Sequence, residues 1–110
     1  MMRTDAISNK DGFEKFGKSF QEKLCKLIMF DRPFADQMEE VLDVSFFENK
    51  ALQELTKLIF RHRREYRIHP SEETLETLVR TEIGDLPESV QATIRNYVAK
   101  AVGSKIVADS

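Results

Sequence analysis

Few residues in this chain have the types and spacing that catalysis or metal binding requires. Cys25, the only cysteine, has no histidine near it in sequence, so a Cys–His nucleophile is not indicated. A single cysteine in a stretch rich in Phe and Leu is typical of a core side chain. His62 and His69 are the only histidines, whereas transition-metal sites need three or four converging ligands. No metal site is therefore predicted, and His62 is interpreted as a partly buried side chain or a helix-end cation.

Other signatures of catalysis are also missing from the sequence. The four glycines do not form the glycine-rich loop that cradles a nucleotide phosphate. The adjacent carboxylates Glu39-Glu40 and Glu72-Glu73 would point in different directions on a helix, so they are interpreted as solvated surface. We therefore expect no catalytic residue, no cofactor and no enzymatic activity in this chain itself.

The main concentration of like charge is a group of four arginines near the two histidines: Arg61, Arg63, Arg64 and Arg67. One interpretation is a basic patch that binds nucleic acid or an acidic partner. The other is that cations collect at the C-terminal end of a helix because the helix dipole favours them there. The neighbouring His62 and Tyr66 are expected to face the core, which favours the second interpretation over base stacking.

The spacing of apolar residues predicts helices along almost the whole chain. The first helix would carry an apolar stripe at Phe13, Phe16, Phe20, Leu24, Leu27 and Ile28. Pro33 ends that helix and suits the first position of a second one, with a buried face of Phe34, Met38, Val41 and Leu42. A third helix is predicted from about Lys50 to a point before Pro70, with a stripe of Leu52, Leu55, Leu58, Ile59, His62 and Tyr66.

Two serines carry helix-start signals. Ser45 and Glu48 have the spacing of a capping box, which predicts a short turn that places Phe46 and Phe47 in the core. Ser71 is a favourable N-cap for a fourth helix, and the two glutamates after it suit the positive end of the helix dipole.

A fifth helix is predicted from Pro87 to Gly103, where a left-handed cap would end it. If this helix closes the bundle, its apolar stripe is core. If it projects, the stripe is an exposed face that needs a partner. The hypothesised protein interface on this stripe consists of Val90, Ile94, Tyr97, Val98 and Ala101.

Composition indicates one small folded domain of 110 residues, with 41% hydrophobic and 33% charged residues and a net charge of −2. Residues 68–110 are mildly acidic, with 4 Lys and Arg against 7 Asp and Glu, which favours protein partners over phosphate backbones. A lone cysteine and a polar N-terminus without an apolar signal core predict a cytoplasmic protein. The predicted organisation is a flexible segment over 1–12, a helical bundle over 13–84, a C-terminal helix over 85–103 and a tail over 104–110.

Residues 20–83 resemble the N-terminal domain of DnaB-like replicative DNA helicases, in particular phage-type members. The resemblance begins with an apolar helix over Phe20–Ile28 and continues with Val41–Phe47, an acidic turn leading to an aromatic pair. The long helix Asn49–Tyr66 follows, then a loop with a proline and the helical segment Glu73–Leu78. The match lies mainly in core positions and in the order of elements.

The resemblance implies an all-α fold: a compact orthogonal bundle of about five helices, the last a candidate for the first arm of a helical hairpin. In this family such hairpins pair subunits of the hexameric ring, and the domain helps to dock primase or a helicase loader during DNA replication. ATP and Mg²⁺ would belong to an ATPase domain that this sequence does not include.

The expected function is therefore a non-catalytic assembly and docking domain. Its expected partners are other helicase subunits, giving a homo-oligomer, and primase or a loader, with weak or no DNA contact and no membrane association. Two alternatives stay open. One is a small DNA-binding regulator that uses the arginines of residues 61–67. The other is a stand-alone phage protein that binds a host helicase.

Overall fold

A computed structural model of the chain describes residues 13–109, with side chains described for residue 13 and residues 15–103. The described part contains five α-helices and no strand: α1 Gly17–Phe30, α2 Arg32–Val41, α3 Lys50–Tyr66, α4 Glu72–Thr81 and α5 Glu88–Asp109. Two short 3₁₀ helices cover Glu14–Phe16 and Val44–Phe46. The predicted all-α bundle is confirmed, while the predicted flexible segment 1–12 lies outside the described residues.

Side-chain caps explain where three helices begin. Asp31 Oδ1 accepts a hydrogen bond from the Phe34 amide at 3.0 Å, and Pro33 occupies the first turn of α2 as expected. Asn49 caps α3 through the Ala51 amide at 2.7 Å. Ser71 caps α4 through the amide of Thr74, three residues on, at 3.1 Å, which confirms the prediction for that helix.

The predicted capping box of Ser45 and Glu48 is wrong. Asp43 Oδ1 is the cap instead, because it accepts both the Ser45 amide at 3.0 Å and the Ser45 hydroxyl at 2.7 Å. The Glu48 amide donates to Gln21 Oε1 at 2.8 Å, so a buried glutamine of α1 satisfies the donor that the box would have used. Phe47 is nevertheless fully buried, as expected.

Helix α1 buries only part of the stripe that its apolar spacing predicts. The buried residues of the helix are Gln21, Cys25, Ile28 and Met29. Phe16, Phe20 and Leu27 remain 41–50% exposed, so much of the predicted stripe lies at the edge of the core. The aromatic rings at the start of α1 pack on one another instead, with the ring centroids of Phe16 and Phe20 5.0 Å apart.

The core lies between all five helices, with Ala35 as the buried residue of α2, and it includes the completely buried Phe47. Helix α3 contributes more buried side chains than any other helix, and among them Leu55 and Ile59 are completely buried. Tyr66, predicted in the buried stripe of α3, is 60% exposed because it lies in the last helical turn, beyond the packed face.

Helix α5 packs on the bundle and does not project from it. Ile94, Val98 and Ala101 are buried in the same core as the rest of the chain, and the Tyr97 hydroxyl donates to the Glu22 carbonyl of α1. The helix also continues through Gly103 to Asp109, so the predicted left-handed cap and the predicted 104–110 tail are wrong as far as Asp109. A glycine inside a helix costs only about 1 kcal/mol, and no proline follows to stop the helix.

None of the described helices combines the length and the apolar character that crossing a membrane requires.

Candidate functional site

The C-terminal end of α3 is tied to α2 by one arginine. The side chain of Arg63 is only 9% exposed, and its Nε donates to Glu39 Oε1 at 2.8 Å. Its Nη2 forms a second ion pair with Asp36, which lies three residues before Glu39 and therefore on the same face of α2. Partial burial disfavours the charge of Arg63, but hydrogen bonds to Glu39 and Asp36 outweigh it and raise the pKa of the guanidinium.

His69 extends this network into α1. Its Nε2 donates to the Met29 carbonyl at 2.6 Å, and its Nδ1 accepts from Arg63 Nη1 at 2.7 Å. A carbonyl only accepts and a guanidinium only donates, so these two partners fix the neutral imidazole with its proton on Nε2. Burial lowers the pKa of His69 below its ordinary value of 6.5, and the charges of Arg63 and Arg32 lower it further. The Met29 hydrogen bond acts in the opposite direction.

A left-handed residue reverses the chain between α3 and His69. Arg67 has φ 59° and ψ 31°, and its amide donates to the Arg63 carbonyl at 2.8 Å, which closes the last turn of α3. This is the only described non-glycine residue with positive φ. The reversal leaves Ile68 57% exposed at the surface beside the network.

These elements enclose an open cavity of about 530 Å³, which we call the arginine cavity. Its lining contains four arginines, two carboxylates, one histidine and one apolar side chain: Arg32, Arg63, Arg64, Arg67, Asp36, Glu39, His69 and Ile68. Both carboxylates bind Arg63. Within the described residues, the side chains of Arg32, Arg64 and Arg67 have no ion-pair or hydrogen-bond partner. With His69 neutral, the lining carries a formal charge of +2.

The predicted basic patch is therefore divided by the structure. Arg63 is used internally, and Arg61 lies 3.9 Å from Glu82 of the α4–α5 connection, with both side chains exposed. Arg64 and Arg67 remain available and are joined by Arg32, which sequence reasoning missed. Arg32 is 32 positions from Arg64, and no local pattern could connect two such distant cations.

The two histidines have different roles. His62 is half-buried, in agreement with one of the two sequence interpretations, and its ring centroid is 4.8 Å from that of Tyr66. Its Nδ1 has no hydrogen-bond partner in the described part of the chain. His69, which sequence analysis considered only as a metal ligand, is the one that organises the arginine cavity.

The hypothesised interface on α5 does not form an exposed face. Ile94, Val98 and Ala101 are at most 5% exposed, and Val90 and Tyr97 are partly buried against the same core. The stripe is instead covered by α3 and α4. The alternative interpretation, that the stripe closes the bundle, is the one the structure supports.

The thiol of Cys25 and the hydroxyl of Tyr97 lie in or against the core. Cys25 is completely buried with its Sγ 3.6 Å from Thr56 Oγ1, and burial raises the pKa of its thiol to about 12. Burial also raises the pKa of Tyr97, whose hydroxyl is bound to the Glu22 carbonyl. Neither group has the low pKa and access that a nucleophile or general base needs.

Within the described residues, no three His, Cys, Asp or Glu side chains converge as metal ligands would. Comparison with protein-family models, with curated proteins and with solved structures gave no match to this chain.

Proposed function

We propose that this chain is a non-catalytic docking domain of the kind that begins DnaB-like replicative helicases, and that it binds a protein partner such as primase or a helicase loader. The proposal is carried by the order of elements: α1, α2, the 3₁₀ turn before Phe47, the long α3 and the proline-led α4. This order follows the sequence resemblance from residue 20 to residue 83.

The distribution of buried groups supports docking over chemistry. The thiol of Cys25 and the hydroxyl of Tyr97 are bound and have raised pKa values. Exposed charged and apolar groups lie together around the C-terminal ends of α2 and α3, where Val41 is 71% exposed. Such mixed surfaces suit recognition of another protein.

The proposal does not include subunit pairing through α5, because the apolar stripe hypothesised to pair subunits is buried in the core. Pairing would need another surface, and the isolated chain is expected to remain a monomer. The DNA-binding alternative also loses support, since Arg63 is neutralised by Asp36 and Glu39 and Arg61 lies beside Glu82.

Sedimentation velocity tests the proposal directly. The chain would be mixed in turn with a purified DnaB-type helicase ring, a primase and a helicase loader, and also run alone over a wide concentration series. Co-sedimentation with at least one of these proteins is the expected result. If the chain binds none of these proteins and binds duplex DNA tightly and in a salt-dependent manner, docking is rejected in favour of the DNA-binding regulator.

A further inference from the structure

We propose that the arginine cavity is the docking site for an acidic peptide segment, one that presents carboxylates next to an apolar side chain. This inference rests on the proposed docking function and names the chemistry of the partner. The carboxylates of the peptide would bind Arg32, Arg64 and Arg67. Its apolar side chain would contact the exposed side chains of Ile68 and Val41.

The first argument is charge. Three arginines from two separate elements converge on one cavity without a carboxylate partner in the described part of the chain, whereas the fourth, Arg63, has two. Helix dipole effects account for cations in the last turn of α3, such as Arg64. They do not account for Arg32, which lies in the first turn of α2, where the dipole disfavours a cation.

The second argument is that the cavity is held in shape. Arg63 is fixed by Glu39 and His69, and His69 is fixed in turn by the Met29 carbonyl. These contacts join α1, α2, α3 and the loop after α3 beneath the free arginines. A preformed site loses less conformational entropy on binding, which favours affinity.

The third argument concerns the size and polarity of the neighbouring surface. A second groove of about 620 Å³ adjoins the cavity, since Glu39 and Arg64 line both. Its walls combine apolar side chains with further charged ones: Val41, Leu42, Val44 and Phe60, and Glu40, Asp43, Lys57 and Arg61. A ligand that reaches from the arginines to the apolar side chains of this groove is an extended segment rather than a small anion.

The same features favour a peptide over nucleic acid. Asp36, 59% exposed in the cavity wall, interrupts the basic surface, so the arginines form no continuous track for a phosphate backbone. The chain as a whole carries a charge of −2, so it has no long-range attraction for a polyanion. A short peptide can place its carboxylates on the arginines and an uncharged side chain elsewhere.

Fluorescence anisotropy with a synthetic probe tests the site. The probe is a labelled peptide with two Asp-Glu pairs separated by leucine, and a peptide with Asn and Gln at the acidic positions is the control. The full chain should bind the acidic peptide more tightly than the amide peptide, and added salt should weaken binding.

Variants locate the binding. Arg32→Gln, Arg64→Gln and Arg67→Asn should each weaken binding about two- to fivefold, and the triple variant more than tenfold. Asparagine is chosen at residue 67 because it tolerates the left-handed conformation.

Val41→Ser and Ile68→Ser should weaken binding without changing its salt dependence. Arg95→Gln, an exposed arginine of α5, is the matched control and should bind like the unchanged chain.

Equal affinity of the triple variant and the Arg95→Gln control would overturn the proposal. So would a single-stranded DNA oligonucleotide of the same net charge that binds the arginines more tightly than the peptide. A chain that binds a helicase, primase or loader with unchanged affinity in the triple variant would retain its docking function and lose only this site. Circular dichroism of every variant is the control that the helical fold is retained.

Discussion

His69 is held between a group that can only accept a hydrogen bond and a group that can only donate one. A second proton on its imidazole would place an N–H against the N–H of Arg63 Nη1, and it would add a cation beside Arg63 and Arg32. The folded chain therefore resists protonation of His69, whereas the unfolded chain takes up the proton at the ordinary pKa of 6.5.

This difference in proton uptake predicts a pH-dependent stability. A lowered folded-state pKa contributes stability that is present above pH 6.5 and is lost as the pH falls below it. Urea unfolding at a series of pH values should show the free energy of unfolding decreasing from neutral pH toward acid. The His69→Gln variant should show a smaller decrease, and identical pH dependence in the two proteins would contradict the assignment of the neutral tautomer.

Residue-level reasoning from sequence worked where partners are close in the chain. Ser71 and Pro33 were assigned correctly because a cap and a first-turn proline act on amides within three residues. The role of Arg63 was missed because its two carboxylate partners lie 24 and 27 positions away on another helix. The sequence alone cannot distinguish Arg63 from the other three arginines. Only the packing of α2 against α3 shows that Arg63 forms ion pairs within the chain.

At the scale of elements, a substitution in α5 tests whether Gly103 lies inside the helix, as the structure shows, or ends it with a left-handed cap, as the sequence predicted. Gly103 lies inside the helix, and a Cβ placed on it would meet no atom within 4 Å. Gly103→Ala should therefore raise the free energy of unfolding by about 0.5 kcal/mol, since alanine lowers the entropy of the unfolded chain and favours the helix. Thermal unfolding followed by circular dichroism would measure this change.

Gly17 is the matched control for that substitution. It precedes the body of α1 with φ +88°, a conformation that alanine adopts only with strain, although its Cβ would also have open space. Gly17→Ala should destabilise the chain by about 1 kcal/mol. A destabilising effect of the same sign at Gly103 would restore the left-handed cap that the sequence predicted.

The positions of the helices could be predicted from the sequence, but the face that each helix buries could be predicted only in part. Apolar spacing gives the same periodicity for a stripe in the core and for a stripe at its edge. In α1 the buried positions include the polar Gln21 and exclude the apolar Leu27, because the glutamine binds the Phe13 carbonyl and the Glu48 amide. Hydrogen bonds between distant segments of this kind have no local sequence signal.

For the whole molecule, the position of α5 decides whether the chain unfolds as one unit. Ile94 is completely buried against residues of the other helices. Ile94→Ala should lower the free energy of unfolding by about 3 kcal/mol through lost burial and a residual cavity. Val41→Ala, at an exposed site, should change it by less than about 0.5 kcal/mol.

Two probes distinguish global from local unfolding in the Ile94→Ala variant. Helical circular dichroism reports all five helices. Tyrosine fluorescence comes from Tyr66 and Tyr97, because the chain has no tryptophan, and its change on unfolding comes mainly from Tyr97, because Tyr66 is already 60% exposed. Coincident transitions are expected for a single cooperative unit. An early fluorescence transition, before the loss of helix, would mean that α5 detaches as the separate arm that the family resemblance implied.

The burial of Cys25 has a practical consequence for fluorescent labelling. Burial raises the pKa of the thiol to about 12, so little reactive thiolate is present at neutral pH, and Thr56 and the core shield the sulfur from reagents. A maleimide dye will therefore select a cysteine introduced at an exposed position such as Ser19 or Ser89 while the native cysteine stays in place. Energy transfer between dyes on the chain and on a bound partner can then be measured without disturbing the core.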